Sequence, residues 1–162
     1  MNNLKEILLS ELHNFREKSF QFLNGEISKL VYEGISGAYG VYAQRDKKSF
    51  MIRLRIPSGI TNISEMYKVY DFAKKYGLDK IHLTTRQAIQ LHGLNIDEIC
   101  DLMKEALDND IYTRGAGGNY PRNVVCSALS GVDKNEFFPV LPYAEAAMEK
   151  LEKYITAEKM PR

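Results

Sequence analysis

The sequence predicts an α+β fold, in which two helices cover one face of a β-sheet. Two observations lead to this prediction. Apolar and polar residues alternate along several short segments, as in half-buried strands, and apolar residues recur at helical spacing along the longer segments between them. From residue 49 to residue 114 the segments follow the order strand, helix, strand, strand, helix, strand. That order is the βαββαβ pattern of a ferredoxin-like domain.

The composition is typical of one compact globular domain. The chain has 162 residues, of which 44% are hydrophobic and 27% are charged. Its 22 basic and 21 acidic residues give a net charge of +1, which argues against a general nucleic-acid binder. No apolar run approaches the roughly 20 residues that span a bilayer, and the first residues show no export signal. We therefore expect a cytoplasmic protein that binds neither nucleic acid nor membrane.

Residues 1–45 are predicted to form a helical segment and a lead-in strand. Apolar side chains recur at helical spacing through the first 22 residues, and Asn24-Gly25 ends that helix. A short turn of helix is expected over residues 27–32. Residues 33–40 hold three glycines, which predicts a loop or a close approach of two backbones. A strand is expected over residues 40–44.

Residues 46–114 are predicted to form the ferredoxin-like unit. One helix begins at Thr61 or Asn62 and ends near Gly77, and a second helix begins at Asn95 or Asp97. Strands are expected over residues 49–56, 80–84, 88–92 and 111–114.

Residues 115–162 contain a glycine-rich stretch and a helix. Residues 115–118 lack the spacing of known phosphate-binding loops, so a plain loop is expected there. The final helix is predicted to run from residue 142 to about residue 158.

The sheet face turned away from the helices is predicted to carry hydrogen-bond donors and no carboxylate. Because side chains alternate along a strand, Phe50, Ile52, Leu54 and Leu83 are assigned to the face under the helices. Arginine suits bidentate binding of oxyanions, so the opposite face predicts a site for a polyanionic small molecule. An alternative is a polar face that another segment covers, with the arginines paired to acids elsewhere. The opposite face carries Arg53, Arg55, His82, Thr84, Gln90 and His92.

The cysteines and histidines limit the metal chemistry of the chain. Cys100 and Cys126 cannot by themselves supply the four ligands of a structural zinc site or an iron–sulfur cluster. A disulfide between them is not expected in a reducing compartment, so both are expected to be packed thiols. The three histidines show no metal-binding spacing, and we predict no metal ligand.

Three motifs follow one another at residues 52–59 (IRLRIPSG), 82–93 (HLTTRQAIQLHG) and 121–126 (PRNVVC). In order and spacing they resemble the sirohaem-dependent nitrite and sulfite reductase family, and the middle motif is the most specific. The resemblance implies that residues 46–114 are a ferredoxin-like half domain of that family. Residues 115–162 would then begin its sirohaem and [4Fe–4S] domain.

The resemblance also implies roles for single residues. Arg53, Arg86 and Arg122 match family arginines that contact the carboxylates of sirohaem or the anion pocket. Of these, Arg53 and Arg122 are assigned to the substrate oxyanion as catalytic residues. The implied cofactor-binding set is Arg53, Arg55, Arg86, Gln90, His92, Arg122 and Asn123.

The activity that the resemblance implies is that of an oxidoreductase. Electrons from ferredoxin or another donor would pass through a [4Fe–4S] cluster to sirohaem, for the six-electron reduction of sulfite or nitrite. The cluster cysteines and active-site lysines of the family are absent from this sequence. We therefore expect an N-terminal fragment that is inactive alone and needs the C-terminal half of the enzyme.

The alternative is a standalone ferredoxin-like binding module, for RNA or as a small-molecule regulatory domain. RNA binding of this kind needs aromatic side chains on the open strand face for base stacking. The sequence has arginine, histidine, threonine and glutamine there, which disfavours RNA.

Overall fold

The computed structural model describes residues 2–120, 122–152 and 154. Short 3₁₀ turns lie at Gly37–Tyr39 and Pro57–Gly59. None of the helices in the described residues is both long and apolar enough to cross a membrane. The helices and strands in chain order are α1 (Asn2–Leu23), α2 (Lys29–Ser36), β1 (Val41–Ala43), β2 (Phe50–Leu54), α3 (Ile63–Lys75), β3 (His82–Leu83), β4 (Ile89–Leu94), α4 (Ile96–Asp108) and α5 (Leu141–Glu152).

The four strands form one antiparallel sheet in the order β1-β2-β4-β3. Its register places Arg53 of β2 opposite Gln90 of β4, and Gln90 opposite His82 of β3. These three residues therefore form one row across the sheet. The predicted α+β class is confirmed.

The core lies on one face of the sheet, under the helices. The alternate β2 residues Phe50, Ile52 and Leu54 are fully buried, as the alternation of the strand predicts. Val69 of α3 and Ile99 of α4 belong to the same core. Helix α1 then packs against α4 and α2. Helices α3 and α4 cover this face of the sheet, and the opposite face is left for a binding site.

Asparagine caps fix where the two core helices begin. The side-chain oxygens of Asn62 and Asn95 accept hydrogen bonds from the third amide of α3 and α4, and Glu65 and Glu98 bond back to the cap amides. These reciprocal bonds satisfy backbone donors that a helix start leaves open. The sequence predicted that the first of these helices begins at Thr61 or Asn62 and the second at Asn95 or Asp97. The structure has the caps at Asn62 and Asn95.

The predicted strand over residues 111–114 is absent, because another strand occupies its place. Strand β1 pairs with β2 from Val41 to Ala43, and the Gly40 carbonyl accepts the Arg53 amide at 2.9 Å. The chain after α4 reaches β2 only past that point, where the Tyr112 carbonyl accepts the Arg55 amide at 2.8 Å. A backbone hydrogen bond between Arg55 and Tyr112, and no strand, is present where the strand was expected.

Of three other expectations, one was wrong and two were confirmed in part. Residues 33–40 are not an open loop, since α2 continues to Ser36 and a 3₁₀ turn follows. The close backbone approach is present, because a Cβ on Gly37 would lie 3.3 Å from Gly118 Cα. Leu83 is 69% exposed rather than buried, since β3 is a two-residue edge strand that the helices do not cover. The predicted final helix is present as Leu141–Glu152, and residues 153 and 155–158 of the prediction lie outside the described residues.

Candidate functional site

A groove of about 440 Å³ opens on the sheet face away from the core. We name it the arginine groove. Strands β2, β3 and β4 form its floor, the turn between β3 and β4 one wall, and residues 116 and 122–123 the other. Six of the seven predicted site residues line it, namely Arg53, Arg55, Arg86, Gln90, Arg122 and Asn123.

The groove carries positive charge without a lining counter-charge. Four arginines line it, and none of the lining residues is an aspartate or a glutamate. Burial lowers the pKa of the Arg53 guanidinium below its ordinary value, and the positive charges of Arg122 and Arg86 lower it further, whereas Tyr42 acts in the opposite direction. Clustered guanidinium groups of this kind favour a ligand with several anionic oxygens.

Arg53 is held in place on several sides. Its Nη1 donates to the Ala116 carbonyl at 2.9 Å, and its guanidinium carbon lies 5.8 Å from the centre of the Tyr42 ring. With the Gln90 amide oxygen turned toward it, that oxygen accepts from Arg53 Nη2 at 2.8 Å and from Nε at 3.2 Å. Arg53 is therefore preorganised, and its remaining donor capacity faces the groove.

Asn123 holds three segments of the backbone together. Its Nδ2 donates to the carbonyls of Ile56, Arg86 and Gln87 at 3.0, 3.0 and 3.2 Å, while its Oδ1 accepts from the Ser58 amide at 3.0 Å. The amide is thus fully engaged with the protein. Asn123 thus lines the groove with its amide bonded to backbone groups, and its contact with a cofactor stays a prediction.

Gln87 is an important residue at the groove that the sequence analysis did not assign to the site. Its Nε2 donates to the Cys126 carbonyl at 2.7 Å, and its Oε1 accepts from the Cys126 amide at 3.1 Å. The pair fastens the turn that carries Arg86 to the segment that carries Arg122. Its place directly after Arg86 in the middle motif was the available signal.

His92 lies outside the arginine groove. It lines a neighbouring depression beside Gln44, with Nδ1 3.5 Å from Gln44 Nε2. Its Nε2 lies 3.2 Å from the Gln90 amide, on the far side of Gln90 from Arg53. Burial lowers the pKa of His92, and the nearby charges of His82 and Lys80 add to this effect. His92 thus lies behind Gln90 and outside the arginine groove, and its contact with a cofactor stays a prediction.

The glycine-rich loop at residues 115–118 is a packed loop, as expected. The Gly115 amide donates to the Ala38 carbonyl at 2.7 Å, and the Gly118 amide to the Tyr42 hydroxyl at 2.9 Å. These amides are used within the protein, so they do not form a phosphate cradle. Arg114, just before the loop, is buried between the rings of Tyr39 and Tyr120 and lies 3.3 Å from Glu11.

The cysteines are separate packed thiols. Both are free, Cys126 is buried, and burial raises the pKa of the half-buried Cys100 to about 11. Within residues 2–120, 122–152 and 154, no group of three or more histidine, cysteine or acidic side chains could hold a metal ion.

Comparison with known proteins identifies the half domain. Residues 42–109 match the family model of the nitrite/sulfite reductase ferredoxin-like half domain. The solved structure of the Mycobacterium tuberculosis NirA protein covers 93% of this chain and 30% of its own, with a TM-score of 0.71 and 22% identity, which shows a common fold. The predicted ferredoxin-like half domain is thereby confirmed.

Several curated relatives are reductases. The sulfite reductase [NADPH] hemoprotein beta-component of Oceanobacillus iheyensis is 31% identical over 147 residues, which are 74% of this chain and 25% of that protein. The assimilatory ferredoxin-dependent nitrite reductase of Haloferax mediterranei is 27% identical over 164 residues, which are 94% of this chain and 28% of that protein. The chain thus spans about a quarter of the length of these relatives.

Proposed function

Because residues 42–109 match the family model of the nitrite/sulfite reductase ferredoxin-like half domain, we propose that the chain provides the arginine-lined side of the sirohaem and oxyanion site of such a reductase. The observation that carries this proposal is the arginine groove. Four arginines line it, and no aspartate or glutamate does. Sirohaem is a polycarboxylate, and sulfite and nitrite are small oxyanions. Both suit clustered guanidinium donors.

The residues of the groove fit two parts of such a ligand. Arg86 lies on the exposed outer turn and would bind a peripheral carboxylate. Arg53 is partly buried and preorganised, and with Arg122 it would face the oxyanion. Bound sirohaem would supply the iron at which the substrate is reduced. The part of this chain is to hold anionic groups and to compensate negative charge with fixed donors.

The remaining requirements of a reductase would be met outside this chain. Its sequence has only Cys100 and Cys126, which do not suffice for a [4Fe–4S] cluster. We propose that the cluster, the electron donor and the six-electron reduction of sulfite or nitrite belong to the complete enzyme. Alone, the chain is expected to show no turnover with reduced methyl viologen and either anion.

The test is binding of uroporphyrin, a polycarboxylate tetrapyrrole without iron, to the chain in a fluorescence titration. Arg86→Gln and Arg122→Gln should each weaken binding about tenfold, because each removes one charge-assisted contact. Arg16→Gln is the matched control, since Arg16 pairs with Asp97 on the other side of the core.

Two results would contradict the proposal. One is unchanged binding in Arg86→Gln and Arg122→Gln, and the other is an equal loss in the Arg16→Gln control. Tight binding of single-stranded RNA, competed by salt alone, would favour the standalone binding module instead.

A further inference from the structure

We propose that Gln87 is a positioning residue for Arg122, which it holds in the arginine groove through the Cys126 backbone. This inference rests on the proposed function, because the groove is where Arg122 would act. The observation behind it is the pair of hydrogen bonds between the Gln87 amide and both backbone groups of Cys126, at 2.7 and 3.1 Å.

The segment that carries Arg122 has no regular structure of its own. Residues 122–126 belong to no helix or strand. Their position depends on contacts with side chains. Asn123 forms hydrogen bonds with backbone groups of Ile56 and Ser58, and the Val124 amide contacts Met148 Sδ at 3.2 Å. Gln87 forms hydrogen bonds with the Cys126 backbone. Without the Gln87 bonds, the Cys126 end of this segment loses both of its hydrogen bonds to the turn between β3 and β4.

The turn at the other end of the contact is well defined. The Thr84 amide donates to the Ala88 carbonyl at 2.9 Å, and the Gln87 amide to the Thr84 carbonyl at 3.0 Å. Gln87 has a positive φ of 54°, and its side chain lies over Gly59, where a Cβ would come within 2.6–2.7 Å of it. The turn and Gly59 together aim the Gln87 amide at Cys126.

The pair of hydrogen bonds between Gln87 and Cys126, which we call the clamp, has an electrostatic consequence. Arg86 precedes Gln87 in the turn, and Arg122 begins the segment that Gln87 holds at Cys126. Both arginines line the groove, so two like charges face one ligand site. Like charges separate unless something holds them. The neutral Gln87 amide holds the two segments together without cancelling the positive charges of Arg86 and Arg122. Both guanidinium groups therefore stay available to an anion.

A double-mutant cycle tests the proposal, with uroporphyrin binding as the readout. Gln87→Met removes both hydrogen bonds at similar length and should weaken binding about fivefold to tenfold. In the Arg122→Gln background the same substitution should change affinity by less than about twofold, because no arginine remains to be positioned. In the Arg53→Gln background the full loss should persist, since Arg53 is anchored by Ala116 and Gln90 instead.

The cycle separates positioning from general loosening. An equal loss in every background, or no loss in the wild-type background, would overturn the proposal. If wild-type protein does not bind uroporphyrin, the proposed function fails, and a second measurement alone decides about Gln87.

That measurement needs no ligand. Spin labels at the exposed positions 85 and 125, in a Cys100→Ser, Cys126→Ser background that keeps the residue 126 backbone, report the separation of the clamped segments. A single narrow separation is expected, and Gln87→Met should broaden it. A broad separation in protein that retains Gln87 would overturn the proposal.

Discussion

At the scale of single residues, the groove depends on Arg53 and the chain of groups behind it. Arg53 contacts Gln90, and Gln90 contacts His92, so the imidazole supports the amide that orients the guanidinium. The protein thus places an imidazole near, but outside, a positively charged groove. We therefore expect the stability of the protein to be sensitive to acid.

The first prediction concerns the pH dependence that His92 causes. Its pKa in the folded protein is below the ordinary 6.5 because of burial and the nearby charges of His82 and Lys80. The unfolded chain therefore binds the proton more readily, and stability present above about pH 6.5 is lost as the pH falls through the folded value. His92→Gln should reduce the drop in Tm between about pH 7.5 and about pH 5.5.

The control for that prediction is His13→Gln, because His13 is exposed on α1. This variant should keep the wild-type drop in Tm. An equal drop in wild-type protein and in His92→Gln would show that His92 does not cause the acid sensitivity.

Single-residue prediction from sequence succeeded where alternation along a strand decides the outcome. Arg53 and Gln90 lie on the predicted face because side chains on a strand must alternate. Asn123 and Gln87 could not be assigned in this way, since the partners of an amide are set by tertiary contacts between segments far apart in sequence. His92 shares the face of Gln90 but lies one step farther along the strand, beyond the groove.

At the scale of elements, backbone contacts between short segments shape the groove wall. Gly40 has a φ of +73°, and a Cβ there would lie 2.8 Å from Ala116 Cβ and 2.9 Å from the Thr113 carbonyl. The Ala116 carbonyl also holds Arg53. The glycine therefore permits the contact that places the wall.

The second prediction compares two glycines. Gly40→Ala should destabilise the protein by about 2–4 kcal/mol. The alanine backbone would be strained at this positive φ, and its Cβ would overpack the contact with Ala116. Gly34→Ala should instead stabilise it by about 0.5–1 kcal/mol, since Gly34 is in helix α2 with open space around it. Urea unfolding measures both, and a similar effect of the two substitutions would contradict the assignment.

The helices whose ends and apolar faces have local sequence signals were predicted correctly. The strand whose formation depends on which of two segments pairs with the edge of β2 was not. The caps at Asn62 and Asn95 and the apolar stripes fixed α3 and α4. The missing strand at residues 111–114 has suitable residues, but β1 occupies the edge of β2 first. Which of two segments pairs with an edge is a tertiary outcome that local pattern does not encode.

At the scale of the whole molecule, positive and negative side chains are nearly equal in number but unevenly distributed in space. The net charge is +1, yet the arginine groove has four positive side chains and no lining carboxylate. Some acidic residues pair with cations outside the groove, as Asp97 does with Arg16 and Glu105 with Lys75. The field that a ligand meets is therefore local to the groove rather than a property of the overall charge.

The third prediction follows from that local field. Binding of uroporphyrin should weaken by about tenfold or more as NaCl rises from about 0.05 M to about 0.5 M, because salt screens charges that are partly exposed. Arg86→Gln should lower both the affinity and its dependence on salt. Lys104→Gln removes the same unit of charge from the exposed side of α4 and should change neither. Two titration results would refute a groove-centred field. One is binding that is insensitive to salt, as for an apolar ring held by stacking, and the other is an effect of Lys104→Gln equal to that of Arg86→Gln.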